Sequence, residues 1–571
     1  MKRSLLAAFL IGLVLAGCGE DETALAPVPA PQAVSAASVI APAPGGAANP
    51  DGGVAATLTV SGKITFDRLI ATGFGLDALP QRQNAAFVRV EVVRHDDPST
   101  LIVPAVATDA LGDYSVTFAT DRDFYVRARA QFSVATLDVR VLHTQMAAPV
   151  THAVSSPIRN RALGSQTVNV NAELALPTLR AGAFAALDTV RKLALATQFT
   201  GSPTLGALDL YWAPGNIGTS FMRDLAMLPV NLVATGFTNT GALGPPGIVI
   251  SGARWDSVGT GDHDEFDEAV IAHEFVHFLM RTQSRDNNWG GDHNGEALVH
   301  GAAYAEGLPT GLGCLLLANK NYIDTVGLPP WTTTTRFTFD CENPGFVAGV
   351  PSAGTGVSGY SAEFVVAGVV WDLLDGAAGN PGSTDGDPTA IAMDGFLQSF
   401  YALRTRSGAY DLAYLASLLQ QLVDDARTTT PNANTLLAPF NASFPPAIAD
   451  QWPPNMALPG TDSASLNAAL GPGGTPANRQ TGLSSNAVYR LELTMARSVT
   501  INLNVTSAGY NGATHQVDLY LYDIGNNQLA AATGSMQGKS MTINLGIGVY
   551  LLRLHHAALN PAPVNYSLVI P

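Results

Sequence analysis

Charged side chains, basic residues and cysteines are all scarce in this chain of 571 residues. Charged residues make up 13% of it and hydrophobic residues 47%, so several large cores can form. The 30 basic residues are outnumbered by 46 acidic ones, for a net charge of −16. This balance argues against a nucleic-acid binder, which normally carries a basic patch. The apolar run over residues 5–15 spans 11 residues, too few for a stable membrane anchor.

The N-terminus has the pattern of an export signal. Residues 1–3 include two basic side chains, the short apolar run follows, and Leu-Ala-Gly leads directly into Cys18. This ending resembles a bacterial lipobox, which implies a lipoprotein signal peptide over 1–17, cleavage before Cys18 and lipidation of that residue. The alternative is an ordinary secretion signal with an incidental cysteine. We expect a location in the bacterial cell envelope, lipid-anchored at the outer membrane or cell surface.

Two cysteines remain after Cys18, and the segment between the signal and the first strand has few large apolar groups. In an exported protein the even count predicts a disulfide between Cys314 and Cys341, with two buried free thiols as the alternative. Residues 18–56 are rich in Ala, Pro, Gly and Ser, and cannot bury enough surface to order themselves. We expect this segment to be a disordered tether.

Short alternating runs separated by turns fill residues 57–176. Period-two alternation of this kind predicts strands of a β-sandwich. The fragments SGKI, ATDALGDYSV and YVRARA resemble the carboxypeptidase-regulatory-like modules of bacterial secreted proteins, which implies a scaffold or binding role. The strands are expected over 57–66, 87–93, 109–118, 124–130 and 168–174.

The central region, 178–445, changes to helical spacing and contains the sequence His-Glu-Phe-Val-His at 273–277. Four residues apart on a helix over 264–281, His273 and His277 share a face and can ligate one Zn²⁺. Glu274 would then lie beside the metal-bound water as the general base. A preceding strand, 247–251, is expected to be the edge strand that pairs with a substrate backbone.

Two glutamates compete as the third ligand, Glu296 and Glu306. The stretches DEFDEAVIAHEFVHFL and SRDNNWGGDHNGEALVHGAAYAEG resemble a group of bacterial gluzincins, thermolysin-like zinc peptidases with a longer insertion. In that group a Gly-Gly-x-His stretch precedes a helix whose Glu-Gly pair carries the ligand. The resemblance therefore implies Glu306, while the spacing alone leaves Glu296 open. Both would lie on one helix and point in different directions, so we do not expect them to share the metal.

A second apolar helix is expected over 359–374. It resembles the helix that follows the metal site in thermolysin-like enzymes, where a residue at the helix start stabilises the tetrahedral intermediate. Tyr360 stands at about that position, although no histidine occurs there, so the resemblance implies an oxyanion role for Tyr360. A packing tyrosine is the alternative.

The C-terminal part consists of a linker over 446–480 and renewed alternation over 481–571. The fragments VDLYLYD, GVYLLRL and VNYSLVI resemble the pre-peptidase C-terminal domains of bacterial secreted peptidases, which implies a second β-sandwich. The expected fold is therefore multidomain: an N-terminal β-sandwich, a central α+β zincin (thermolysin-like) peptidase domain and a C-terminal β-sandwich.

The expected function is that of a lipid-anchored zinc metallopeptidase that acts on peptide or protein substrates. Its site would consist of Zn²⁺ on His273, His277 and Glu306, with Glu274 as the base. Two alternatives remain open: a surface-binding, adhesive lipoprotein with a degenerate peptidase core, and a zinc hydrolase of a non-peptide bond.

Overall fold

The protein is described by a computed structural model. The predicted signal peptide, Cys18 and nearly all of the predicted tether lie outside the described residues. Within them, no helix is both long and apolar enough to cross a membrane. The described residues are 55–134, 136–143, 150–174, 179–215, 221–223, 247–252, 262–289, 297–327, 333–343, 359–376, 387–407, 410–447, 451–456, 458–466, 482–512, 515–557 and 563–571.

The N-terminal region consists of strands with alternating buried and exposed side chains. The long strand β1 and strand β7 pair antiparallel over eight residue pairs, and β11 and β12 run parallel to β1. All five strand regions predicted here contain a strand. The strands are β1 (Ala56–Arg68), β2 (Ala71–Thr72), β3 (Gly75–Leu76), β4 (Gln81–Asn84), β5 (Val88–Arg94), β6 (Val106–Ala107), β7 (Asp113–Thr120), β8 (Phe124–Val134), β9 (Leu137–His143), β10 (Ala153–Ser155), β11 (Gln166–Thr167) and β12 (Val170–Ala172).

The second sheet of this region extends into the central region. Its strands are ordered β14-β15-β13-β9-β8-β5-β6, with β10 on β8, where β13 is Gly206–Trp212, β14 is Phe221–Arg223 and β15 is Gly247–Val249. Strand β9 pairs in parallel with β13 along its whole length. The boundary expected between residues 176 and 178 therefore does not separate two sheets. Alternating side chains indicate that a strand has a buried face, but they do not identify its partner.

Seven helices of the described residues and a two-stranded hairpin make up the rest of the central region. Helix α3 (His300–Leu316) packs on both α2 (Glu268–Gln283) and α4 (Glu363–Leu374), and all three belong to the same large core as the N-terminal strands. The helices are α1 (Ala181–Ala196), α2 (Glu268–Gln283), α3 (His300–Leu316), α4 (Glu363–Leu374), α5 (Met393–Ala402), α6 (Leu415–Asp424) and α7 (Thr430–Leu437). The hairpin consists of β16 (Asn321–Val326) and β17 (Thr334–Asp340).

The C-terminal region is a β-sandwich with a core of its own. One sheet is ordered β18-β20-β25-β22-β23 and the other β19-β26-β21-β24. Strands β18 and β19 fall inside the segment predicted to be a linker, 446–480, so the sandwich begins earlier than the sequence indicated. The strands are β18 (Asn455–Met456), β19 (Gly460–Leu466), β20 (Asn486–Leu493), β21 (Arg497–Val505), β22 (Val517–Asp523), β23 (Gln528–Ala532), β24 (Gly538–Leu545), β25 (Gly548–His556) and β26 (Val564–Ile570).

The predicted disulfide is absent from the structure. Cys314, near the end of α3, and Cys341, just after β17, are both free and buried. A hydrogen bond between the two thiols, together with burial, raises the pKa of Cys341 well above its usual value. The two residues are neighbours, as a disulfide would require. They are nevertheless two buried free thiols, which is the alternative stated above.

Candidate metal centre

Helix α2 places both histidines of the motif in the protein interior. It spans Glu268–Gln283, so it begins four residues later than the predicted helix over 264–281, and every residue from Ala269 to Met280 is buried. His273 and His277 lie one turn apart with their ring centroids separated by 4.7 Å. Between these two residues the helix has no solvent-exposed face to define its orientation, so neighbouring elements fix the direction of the two imidazoles.

Helix α3 brings Glu306 to these histidines because glycines allow its other neighbours to approach closely. A Cβ atom on Gly307 would lie 2.3 Å from the Glu363 carbonyl oxygen, and one on Gly311 would lie 2.4 Å from the Ala367 carbonyl oxygen. Helix α4 therefore packs against the bare backbone of α3 at both positions. The Glu-Gly pair thus has a physical explanation: the glutamate faces α2, while the glycine next to it accepts α4.

Three potential metal-binding atoms converge between α2 and α3. The Nε2 atoms of His273 and His277 are 3.1 Å apart. The Oε2 atom of Glu306 lies 3.4 Å from the first and 3.2 Å from the second. All three side chains are buried, and together they form a group that could hold a metal ion.

The spacing of these atoms fits a tetrahedral metal ion. Atoms that bind zinc at about 2.0–2.1 Å in tetrahedral geometry lie roughly 3.3 Å from one another. The three observed separations, 3.1, 3.2 and 3.4 Å, bracket that value. Two imidazoles and one carboxylate without a cysteine are also the ligand set of catalytic rather than structural zinc sites, in which a fourth position remains for water and substrate.

Residues behind the ligands hold two of them in binding orientation. The Nδ1 atom of His273 lies 3.0 Å from the Thr310 hydroxyl oxygen, and that hydroxyl lies 3.2 Å from the Glu306 carbonyl oxygen, to which it donates. The hydroxyl oxygen thus accepts the Nδ1 proton, which leaves the Nε2 lone pair of His273 facing the centre. Asn288 donates from its side-chain nitrogen to Oε1 of Glu306 at 3.0 Å. The other carboxylate oxygen, Oε2, is the one that faces the histidines.

Electrostatics at the centre favour positive charge. Burial lowers the pKa of His277, but the Glu306 carboxylate raises it, with contributions from Glu274 and Asp286, to about 9. The surroundings of His277 therefore attract a cation strongly enough to outweigh the effect of burial. Glu274, the predicted base, follows His273 directly in α2, and its side chain is buried. Its carboxylate is thus close enough to interact with the imidazole of His277.

The structure gives Tyr360 an environment that favours packing. It lies in the short turn before α4, and its hydroxyl donates to the Ser443 carbonyl oxygen at 2.9 Å. Its ring packs against those of His300 and Tyr414. The predicted oxyanion role would require the hydroxyl to donate its proton to the tetrahedral intermediate instead, so the role remains a prediction. Glu296, the other candidate ligand, lies outside the described residues.

The expected edge strand is placed differently from the prediction. Strand β15 is flanked by β13 on one side and by the antiparallel strand β14 on the other, so it is internal. Among the described strands, β14 at residues 221–223 takes the outer position, and both strands contact α2. The sequence of β14 does not alternate for long enough to have indicated a strand.

Sequence reasoning missed three residues around the centre. Thr310 lies four residues after Glu306, so helical spacing could have identified it as a neighbour of the ligand. Tyr322 of β16 packs edge-on against His273, with ring centroids 6.1 Å apart. Asn288 reaches Glu306 from the loop after α2, and nothing in a loop sequence signals such a contact.

Three carboxylates just before α2 and one from β16 form a second group. Oxygens of Asp262, Asp264, Asp267 and Asp324 all lie within 4.8 Å of one another, so this group could also hold a metal ion. The carboxylate of Asp267 accepts hydrogen bonds from the backbone and the hydroxyl of Thr325, at 2.7 and 2.9 Å. Burial and the neighbouring carboxylates raise the pKa of Asp267 well above its usual value. These contacts connect the start of α2 to the hairpin.

No protein-family model matches the sequence, and no curated protein matches it. Among solved structures, the pre-peptidase C-terminal domain of a collagenase from Bacillus anthracis is 16% identical over 21% of this chain and 93% of that one, with a TM-score of 0.16. A CBM35 domain from Cellvibrio japonicus is 14% identical over 18% of this chain and 67% of that one, with a TM-score of 0.12. At TM-scores this low, nothing about the fold or the activity of this chain follows from either likeness.

Proposed function

We propose that the protein is a zinc-dependent metallopeptidase with a thermolysin-like, gluzincin type of centre. The observation that carries the proposal is the convergence of His273, His277 and Glu306 at tetrahedral ligand spacing. The resemblance of the surrounding sequence to gluzincins supports the same identification, and so does the Glu-Gly packing of α3 on α4.

In peptide hydrolysis, some side chains of the protein would bind and orient the metal ion, and Glu274 would transfer the proton. A bound zinc ion would supply Lewis acidity, which polarises a substrate carbonyl and lowers the pKa of a coordinated water. Glu274 accepts a proton from the attacking water and passes it to the leaving amine. Thr310 and Asn288 keep His273 and Glu306 oriented while this happens.

In this proposal an extended substrate binds next to the motif helix. Strand β14 pairs with β15 on one side, and within the described residues no strand pairs with its other side. A peptide backbone added there would extend the sheet over α2, by the strand addition that many peptide-binding proteins use. This position favours peptides over small substrates that lack a backbone.

We further propose that the enzyme acts in the bacterial cell envelope, attached through a lipid on Cys18. The support is the sequence of the export signal, with its small residues directly before that cysteine. A tether of about 40 residues would let the folded part reach substrates away from the membrane surface. In this proposal the lipid-anchored protein processes peptides or proteins at the outer membrane or cell surface.

The test compares the wild type with Glu274→Gln on a broad peptide library, with zinc measured in both proteins. The substitution preserves size and hydrogen-bonding capacity but removes the base, so hydrolysis should fall by about 10²–10⁴-fold. Zinc content should remain that of the wild type, because Glu274 is not a ligand in this proposal. Treatment with a chelator should abolish activity, and added zinc should restore it.

Other outcomes separate the competing functions. A wild type that holds zinc but cleaves no peptide, while hydrolysing ester or amide substrates without a peptide backbone, would identify a zinc hydrolase of another bond. If the wild type turns over no substrate, whether or not it holds zinc, the adhesive role would be the remaining alternative. Equal cleavage by Glu274→Gln and the wild type would contradict the assignment of the base.

A further inference from the structure

The segment after α2, residues 284–289, lies between the metal centre and the C-terminal sandwich; we call it the bridging segment. At its end, the side chain of Asn288 donates to Glu306 at 3.0 Å. The same residue has its backbone nitrogen bonded to the Asp286 carboxylate at 2.8 Å. Asn288 is buried. The orientation of one metal-binding carboxylate therefore depends on where this short segment is held.

The turn between β22 and β23, residues 524–527, holds the bridging segment from the other side. The side chain of Asn526 donates to the carbonyl oxygen of Asn288. Asn287 donates to the Ile524 carbonyl oxygen at 2.8 Å. Arg281, in the last turn of α2, donates to the Gly525 carbonyl oxygen at 3.1 Å. Three consecutive residues of the turn thus contact α2 or the bridging segment.

Aromatic packing fixes the end of the bridging segment against the same sheet. Trp289 stacks on Tyr522 of β22, with an interplanar angle of 24°. The guanidinium carbon of Arg553 lies 4.2 Å from the Trp289 ring centroid and 5.3 Å from that of Tyr520. Burial lowers the pKa of Arg553 to about 10, so the group remains a cation at neutral pH. A cation desolvated between aromatic rings makes a strong contact, which a loosely attached domain would not provide.

Further contacts show that this docking is extensive. Arg490 of β20 donates to the Asp411 carboxylate from two nitrogens, from Nε at 2.9 Å and from Nη2 at 2.6 Å. Leu483, before β20, donates to the Ala297 carbonyl oxygen at 2.6 Å, close to the start of α3. Sandwich residues Val488, Tyr522 and Leu551 belong to the large core of the central region. The sandwich therefore contacts the segment that follows α2 and the residues just before α3.

We infer that the C-terminal sandwich is part of the metal centre's support, with Asn526 as a positioning residue that acts on Glu306 through Asn288. The inference rests on the proposed function only in requiring that the centre bind zinc. Residues behind metal ligands typically change metal affinity by about 10–100-fold when they are removed. The contacts predict that removing the Asn526 side chain changes zinc affinity by about this factor. Asn526 lies in another domain, 220 positions after Glu306 in sequence.

The experiment uses the full chain and measures zinc affinity by competition with a chelator. Asn526 has a positive φ of 63°, so Asn526→Gly removes the side chain without straining the backbone. We expect Asn526→Gly to weaken zinc binding by about 10-fold and to change the visible absorption of the cobalt-substituted protein. Asn502→Ala is the matched control, since it removes an exposed side-chain hydrogen bond, to Ser540 at 2.8 Å, on the opposite sheet.

A double variant separates positioning from general loosening. If Asn526 acts through Asn288, then Asn288→Ala should weaken zinc binding, and adding Asn526→Gly should cause little further loss. Wild-type affinity in Asn526→Gly, or fully additive losses in the double variant, would overturn the inference. Because the readout is affinity and absorption, a protein that binds zinc but cleaves no peptide would overturn only the proposed function. A wild type that binds no zinc would overturn both.

Discussion

Single residues determine whether the two histidines can act as ligands at all. A neutral imidazole has one nitrogen with a proton and one with a lone pair, and only the second can bind a metal. The Thr310 hydroxyl determines which nitrogen of His273 carries the proton. Because it donates its own proton to the Glu306 carbonyl oxygen, its oxygen accepts the proton of Nδ1 and the lone pair stays on Nε2. Thr310 therefore links two of the three ligands while touching neither metal-binding atom.

Replacing Thr310 by valine should test this at nearly constant volume. Thr310→Val leaves the Nδ1 proton of His273 without its acceptor, and zinc affinity should fall by about 10–100-fold. Thr435→Val is the matched control, because that hydroxyl makes the same type of bond within α7, to the Pro431 carbonyl oxygen at 3.1 Å. Equal zinc affinity in both variants would show that Thr310 does not set the imidazole's orientation.

At the scale of elements, the contact between α3 and α4 decides where Glu306 lies. Gly307 and Gly311 both face the backbone of α4, and a Cβ atom on Gly313 would lie 3.2 Å from the Ala272 carbonyl carbon of α2. Three small residues on one helix therefore allow it to approach both of its neighbours. The centre forms where this close packing meets the buried face of α2.

Adding one methyl group at the contact should separate the helices. In Gly307→Ala the new Cβ would lie 2.3 Å from the Glu363 carbonyl oxygen, which cannot move out of the way as a flexible side chain could. Overpacking of this kind costs about 1–3 kcal/mol, so the thermal unfolding midpoint should fall. Gly73→Ala should leave the midpoint unchanged, since nothing lies within 4 Å of that site. A midpoint equal to the wild type would mean that α4 is not held this closely.

The sequence predicted individual elements better than the contacts between them. Alternation located β1 and β22, because a strand with one buried face has a period of two regardless of its partner. It did not reveal that β9 pairs with β13 or that β19 belongs to the C-terminal sandwich, since pairing joins distant residues. The two histidines followed from helical spacing. The contact between Asn288 and Glu306 did not, because it depends on how a loop is held by another domain.

At the scale of the whole molecule, two buried histidines link the N-terminal sheet to the central strands. The rings of His143 and His152 stack with centroids 5.1 Å apart, and His152 also packs on Trp212 of β13. Burial lowers the pKa of His143 to about 4, and burial with the neighbouring His143 lowers that of His152 to about 3. The folded protein therefore keeps both rings neutral under mildly acidic conditions.

This depressed pair predicts how stability changes with pH. Below about pH 6.5 the unfolded chain protonates both histidines and the folded protein does not, so the unfolded state binds more protons and the free energy of unfolding falls. The loss should proceed between about pH 6.5 and pH 4, at up to roughly 1.4 kcal/mol per pH unit for each histidine. Denaturant unfolding at several pH values measures the slope, and His143→Gln should reduce it. An unchanged slope in that variant would contradict the prediction.

The most direct test of the zinc centre is a crystal structure of the zinc-loaded protein with anomalous scattering recorded at the zinc absorption edge. The proposal predicts a peak between α2 and α3, about 2.0–2.2 Å from Nε2 of His273, Nε2 of His277 and a carboxylate oxygen of Glu306. A peak bound by Glu296 instead of Glu306 would show that Glu296 is the third ligand. Zinc found only at the aspartates before α2, or nowhere in the protein, would contradict the proposed centre.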